Sequence, residues 1–467
     1  MKHVCIIGGG AAGMSCAAGL ARHPDKFKVT IIEREPVTGG QATSVAVDRE
    51  KYGAEWMNDG VQGGSPIFSH TFHFFRALGH EPHECDLQVS FGKGENFWTN
   101  VFPSPLVSRY SKDINKFGKV LKIVRFFELV FALVPVRILL RLFMFSKGFG
   151  DDMVYPLMAL FLGTGNQTAN VSSAILERLF TDDNMRLWNY SPETLLPNLP
   201  KMYTFPKLGE FYSDWAEVLR KKGVEIRLSH ELVTVLKRDA SGVTIQSRKV
   251  SGGKGDPPSK LVTEKYDELV MAVLADDAKN LLGSNGRWLE KKVLGSASFF
   301  DDVTVTHNDA EYFQKLYQTD FDMKLVAEEE SSEQSEQSEQ IDFAKDNFAK
   351  DNFAPMYYTH TYPEDPQKIE MSFDVSNYQH QFPKGKSNPI DKHVFQSIFL
   401  DKNNEKLWTK NQIKEDKILL TKWWHQLGHR WQHYINVVPC MMFLNGKKHT
   451  WFAGSWTLVV CHTFLHC

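Results

Sequence analysis

Residues 8–13 read Gly-Gly-Gly-Ala-Ala-Gly and set Gly8, Gly10 and Gly13 in a G-x-G-x-x-G spacing. An apolar run, residues 3–7 (HVCII), precedes them, and a small-residue stretch, residues 11–23 (AAGMSCAAGLARH), follows. That order predicts strand, turn and helix. Each glycine then has a mechanical reason. Gly8 permits the tight turn, Gly10 lets the backbone approach a pyrophosphate, and Gly13 lets helix and strand pack closely. The first turn of the helix, Ala12 included, presents free N–H groups to phosphate oxygens. Glu33 ends a second predicted strand, residues 28–33 (KVTIIE), 20 residues beyond Gly13. A carboxylate at that point accepts hydrogen bonds from ribose hydroxyls and repels a 2′-phosphate. Together with the neighbouring Arg34, these residues are expected to hold a molecule containing adenosine diphosphate.

Other chemistry-bearing residues are sparser. His307, in residues 306–309 (THND), could act as an acid or base near neutral pH. The sequence favours a plainer reading, a hydrogen-bonded histidine at a strand end. No other catalytic side chain stands out. His425, His429 and His433 are spaced four apart, which places them along one face of a helix. No neighbouring carboxylate or cysteine completes a ligand set, and Trp423, Trp424 and Trp431 suggest packing, so no metal is expected. Residues 163–167 (GTGNQ) read equally as polar lining of a ligand cavity and as a turn.

The stretch after Glu33, residues 33–43 (EREPVTGGQAT), resembles the extended flavin fingerprint of the amine oxidase and phytoene desaturase superfamily. There an acid is followed by a Gly-Gly pair, here Gly39-Gly40, and usually by Arg or Lys, where this chain has Gln41. Residues 223–237 resemble the returning strand pair whose backbone, around Val233, meets adenine in such flavoproteins. Residues 266–272 (YDELVMA) resemble the strand that re-enters the dinucleotide domain. Residues 451–456 (WFAGSW) resemble the late motif that delivers a glycine, Gly454, to the flavin diphosphate. The resemblance implies FAD as cofactor, bound by Gly8, Gly10, Ala12, Gly13, Glu33, Arg34, Gly40, Gln41, Val233 and Gly454.

The same resemblance implies a discontinuous α/β fold, a Rossmann-like FAD-binding domain interleaved with an α+β substrate domain. The expected FAD-binding segments are 1–110, 206–290 and 441–467, and the substrate segments are 111–205 and 291–440. A length of 467 residues accommodates several such units. Residues 111–205 read as mostly helical, with a helix N-cap at Ser172. Residues 328–353 hold tandem Ser-Glu-Gln and FAKDN copies and read as a solvated low-complexity surface loop.

Lys plus Arg is 54 against 56 for Asp plus Glu, so nothing marks a nucleic-acid partner. Six scattered cysteines without a CxxC pair, and no secretory signal, suggest a reducing, cytoplasmic setting. Residues 126–145 (FFELVFALVPVRILLRLFMF) are long enough to span a bilayer but carry Glu128, Arg137, Arg141 and a central Pro135. They read instead as core helices or as a lid on a lipid surface, which makes membrane association an expectation of the sequence. Only 13 residues follow Gly454, so the ending reads as a truncated or alternatively spliced form.

The expected activity is hydride transfer from a lipophilic small molecule to flavin, a substrate class suggested by the phenylalanine-rich 111–205 segment. Proteins of this look are common in fungal biosynthetic pathways, where some are assigned as monooxygenases. Monooxygenation, flavin-linked double-bond isomerisation and a non-catalytic truncated flavoprotein therefore remain alternatives. No obligate protein partner is evident.

Overall fold

The computed structural model describes residues 1–162, 165–183, 185–186, 189–197, 199–250, 259–327, 352–385 and 388–458. Most of the 328–353 segment and the last nine residues lie outside that set, as do Gly163 and Thr164.

Five parallel strands form the sheet that opens the chain. Their order is Glu225–Arg227, Phe27–Ile32, Lys2–Ile7, Glu268–Met271 and Thr450–Phe452. Both faces are covered, which is why residues 4–7 of the first strand are all apolar instead of alternating. Val4 and Ile6 pack with Val29, Ile31 and Met14 on one face. Cys5 and Ile7 pack with Leu269, Met271 and Ala278 on the other. The helix Ala11–Leu20 starts directly after the glycine turn and buries Gly13, Met14 and Ala17. Four pieces of chain far apart in sequence thus complete one α/β sheet.

Residues 223–237 depart from the expected strand pair. Glu225–Arg227 joins the parallel sheet, whereas His230–Asp239 belongs to a separate antiparallel sheet with Gly242–Lys249 and Val262–Tyr266. The chain turns between the two at Ser229, whose φ of 53° breaks the extended run.

A seven-stranded sheet carries the other half of the molecule. Its order is Ile418–Leu427, Phe299–His307, Phe395–Phe399, Asp365–Asp374, Tyr357–Tyr362, Val89–Phe91 and Trp98–Thr99. Residues 89–99, from the first sequence segment, therefore pair with strands of the last. Against this sheet lies a helical layer that includes Ser111–Phe126, Val136–Leu142, Tyr155–Leu162 and Ser173–Thr181. Phe117, Leu139, Met158 and Leu176 share its core with Val89 and Met371 of the sheet. Ser172 caps its helix through a side-chain oxygen that accepts from the Ala174 N–H. No helix among the described residues is long and apolar enough to cross a membrane. The 126–145 run breaks at Phe127 and again at Pro135, which precedes the helix Val136–Leu142.

Candidate functional site

The glycine turn and the Gly39-Gly40 loop lie against each other. Gly10 and Gly39 form an isolated parallel bridge, and the Gly39 N–H donates to the Gly9 carbonyl at 3.0 Å. Glu33, at the end of the second strand, is buried and faces this turn. One carboxylate oxygen accepts from the Gly9 N–H at 2.5 Å and the other from the Glu35 N–H at 2.7 Å. Two backbone donors therefore orient the acid, and an ionised carboxylate retains lone pairs for a ribose hydroxyl. The helix Ala11–Leu20 has no side-chain cap and no acid in its first turn, so its own side chains leave the N-terminal N–H groups to an anion.

The glycines separate into two kinds. A Cβ on Gly13 would fall 1.9 Å from the Gly8 carbonyl oxygen, and one on Gly8 would meet the Ala272 carbonyl at 2.4 Å. Packing of the chain itself demands those two. A Cβ on Gly10 would touch nothing closer than the Gly40 Cα at 3.7 Å. Gly10 thus borders a cradle that a side chain could fill, and the diphosphate of a dinucleotide fits it.

The remaining candidates are placed as follows. Ala12 lies in the first turn of the helix, and Arg34 is exposed beside Glu35 at 3.3 Å. Val233 sits at a register shift of its strand, three residues past His230, whose N–H donates to the Glu33 carbonyl at 2.8 Å. Gly454 has φ 145° and follows the last parallel strand, with a single 3-10 turn, Ser455–Thr457, after it. Gln41 is exposed and lines a cavity.

That cavity has a volume of about 460 Å³ and runs from the nucleotide loops into the seven-stranded sheet. Gln41, Gly60 and Ser455 line one end, and Leu160, Met202, Met371, Phe373 and Leu400 line the interior. Its described lining includes no Asp, Glu, Lys or Arg. Gln62 donates to Gln396 at 2.6 Å and accepts from Gln379 at 2.9 Å, so its amide at the wall is fixed. Nearby, Lys422 bonds Asp59 and Thr43, each at 2.9 Å, with its ammonium 4.2 Å from the Trp424 ring centroid.

Sequence reasoning missed this second wall. Its one local signal is residues 59–64 (DGVQGG), whose glycines admit close neighbours. A Cβ on Gly60 would meet the Gln41 carbonyl at 2.0 Å, and one on Gly63 the Tyr378 hydroxyl at 2.1 Å.

The plainer reading of His307, a hydrogen-bonded histidine at a strand end, holds over its acid/base candidacy, and the helical face of the late histidines needs correction. His307 is fully buried and does not line the cavity. Its Nδ1 accepts from the Asp309 N–H at 3.2 Å, which leaves Nε2 to donate to Ser397 at 3.0 Å. Burial lowers its pKa to about 3, so it stays neutral and is not an acid/base group near pH 7. The three late histidines do not share a helical face, because Ile418–Leu427 is a strand. His425 lies on that strand between Asp301 at 2.6 Å and Asp276 at 2.8 Å, while His433 opens a short helix, His433–Asn436. Among the described residues no group of three or more His, Cys, Asp or Glu side chains is arranged to hold a metal ion.

The model of the NAD(P)-binding Rossmann-like domain matches residues 6–78. No curated protein matches the sequence. Solved structures resemble the chain over nearly its whole length at low identity. A fatty acid isomerase from P. acnes that produces CLA aligns with TM-score 0.62 and 12% identity, covering 99% of this chain and 95% of that one. Cyclohexylamine oxidase from Brevibacterium oxydans IH-35A aligns with TM-score 0.56 and 11% identity, covering 98% and 94%. A putative protoporphyrinogen oxidase from Exiguobacterium sp. 255-15 aligns with TM-score 0.56 and 12% identity, covering 97% and 94%. Residues 6–78 thus match an NAD(P)-binding Rossmann-like domain, and the chain as a whole shares its fold with the fatty acid isomerase, the cyclohexylamine oxidase and the putative protoporphyrinogen oxidase.

Proposed function

We propose that this chain is an FAD-dependent oxidoreductase that takes a hydride from a lipophilic small molecule. The observation that carries the reading is the cavity of about 460 Å³, whose lining joins Gln41 and Ser455, the chain neighbours of Gly40 and Gly454, to apolar side chains such as Met371, Phe373 and Leu400. Bound FAD supplies a ring that accepts a hydride. Glu33 would grip its ribose, the first turn of the helix Ala11–Leu20 and Gly10 its diphosphate, and Gly40, Val233 and Gly454 would approach it by backbone. Arg34 and Gln41 flank the same loops.

The cavity side chains do the rest. Met371, Phe373 and Leu400 exclude water and orient an apolar substrate, and the fixed Gln62 amide offers it one polar contact. A lining without a carboxylate has no partner for a cationic amine, which favours a neutral or weakly polar substrate such as a polyketide, terpenoid or unsaturated fatty acid.

Double-bond isomerisation is the second reading. The largely apolar lining, with Leu160, Leu162, Met371, Phe373, Ile398 and Leu400, suits an acyl chain, and the fold matches that of a fatty acid isomerase.

Ligand released from purified protein and identified by mass spectrometry tests the cofactor. Flavin bleaching by candidate substrates without oxygen then tests the reaction. A shifted double bond with no net bleaching would select the isomerase. Protein that stays colourless after refolding with FAD would defeat both, and Glu33→Ala should retain much less flavin than the parent.

A further inference from the structure

We infer that the helical face formed by residues 119–147 docks on an anionic lipid bilayer without crossing it. Among the described residues, 20 large apolar side chains are exposed, and nine of them fall between Ile123 and Met144. Singly scattered exposed apolar groups need no explanation, but a cluster does. The side chains are turned outward: Leu129 is 89% exposed, Met144 83% and Phe126 81%. Val130, Leu133 and Leu142 extend the same patch.

The charges around it are of one sign. Lys119, Lys122, Arg125, Arg137, Arg141 and Lys147 are all exposed. The one acid in the segment, Glu128, is paired with Arg178, and Asp113 just before it with Lys116 at 3.1 Å. An apolar patch bordered by exposed cations is complementary to an acyl boundary beneath anionic headgroups. Long Lys and Arg side chains reach headgroup level while their stems stay with the apolar surface. The short helices Glu128–Phe131 and Val136–Leu142 cannot span a bilayer, so the contact is superficial.

The patch is also connected to the cavity. Pro135 pairs with Ser172, and the Val136 N–H donates to the Val171 carbonyl at 2.9 Å. Val171 in turn pairs with Arg430, next to the cavity residue His429. The helical layer thus offers its outer face to lipid while Leu160 and Leu162 on its inner face line the cavity. Docking does not depend on the redox reading, because its test measures lipid binding alone.

The test is co-sedimentation of the full chain with vesicles of phosphatidylcholine alone and with phosphatidylserine added. Binding is expected to be more than about tenfold stronger to the anionic vesicles and to weaken with salt. The variant F126S/L129S/M144S, altered only at exposed positions, should lose more than about tenfold in affinity at unchanged thermal stability. R125E/R141E should abolish the preference for phosphatidylserine. Equal binding of parent and triple variant, or no binding to either vesicle, would overturn the proposal. So would a lipid-free dimer, measured by light scattering, that the triple variant dissolves, since a second copy would then cover the face.

Discussion

The Cβ that Gly13 lacks would fall 1.9 Å from the carbonyl oxygen of Gly8, so at this point the first helix lies backbone to backbone against the turn that follows the first strand. Both atoms are main chain, and neither can move without displacing the turn. Gly13→Ala should therefore cost at least about 3 kcal/mol or prevent soluble expression. Gly10→Ala should behave differently. Gly10 has φ −78°, and its added methyl would meet nothing closer than 3.7 Å. Stability of the free protein should hold or rise by about 0.5 kcal/mol, while flavin retention falls. Thermal melts and flavin content of the two variants, measured together, separate a packing glycine from a binding one.

Arg238 and Glu290 form a two-pronged ion pair at 2.6 and 3.1 Å, with side chains 2% and 0% exposed. It ties the antiparallel sheet to the helix Trp288–Leu294. Glu290→Gln leaves the guanidinium charge buried without its counterion. A loss of about 3–5 kcal/mol in denaturant unfolding is expected. The double variant R238M/E290L should recover part of that loss, since it leaves no buried charge.

His425 gives the cavity region a pH dependence. Partial burial alone would lower its pKa, but hydrogen bonds to Asp301 and Asp276 outweigh burial and raise it above 6.5. The folded imidazole then holds its proton where the unfolded one has released it. Its contribution is complete below pH 6.5 and is lost as pH rises through the folded value. In melting curves across this range, His425→Asn should be less stable than the wild type below pH 6.5, lack the wild type's decline on the alkaline side of that value, and converge with it once the wild-type imidazole has lost its proton.

Asp302 acts in a lower window. Burial pushes its carboxyl from 3.8 up to about 7, although one oxygen accepts from the Asp401 N–H at 2.6 Å. The native state keeps this proton while the unfolded chain gives it up, so stability falls as pH climbs from 3.8 to about 7. The whole loss is on the order of 4 kcal/mol. Asp302→Asn should remove most of that slope and make the protein more stable than wild type near neutral pH. An unchanged pH profile in the variant would show that the carboxyl ionises normally.

Short-range patterning was enough for the opening β–α–β unit. A five-residue apolar run, glycines at fixed spacing and an acid 20 residues on depend on contacts that close within about 30 residues, so each residue type carries its own reason. Ser172 was legible for the same cause, because an N-cap bonds only two residues ahead. The late histidines were not. A four-residue spacing means one face only on a helix, and the pairing of residues 418–427 with Phe299–His307 made that segment a strand. Val233 and the chain before it divided between two sheets because of a turn at Ser229 that no residue type demands.

The cavity belonged wholly to the tertiary structure. Leu160, Met202, Met371 and Leu400 come from four separate parts of the chain, and each is an unremarkable residue in its own stretch. Likewise, the outward turn of Phe126, Leu129 and Met144 depended on which flank of each short helix the core claimed. Burial is a property of what packs against a side chain, and partners distant in sequence leave no local pattern to read.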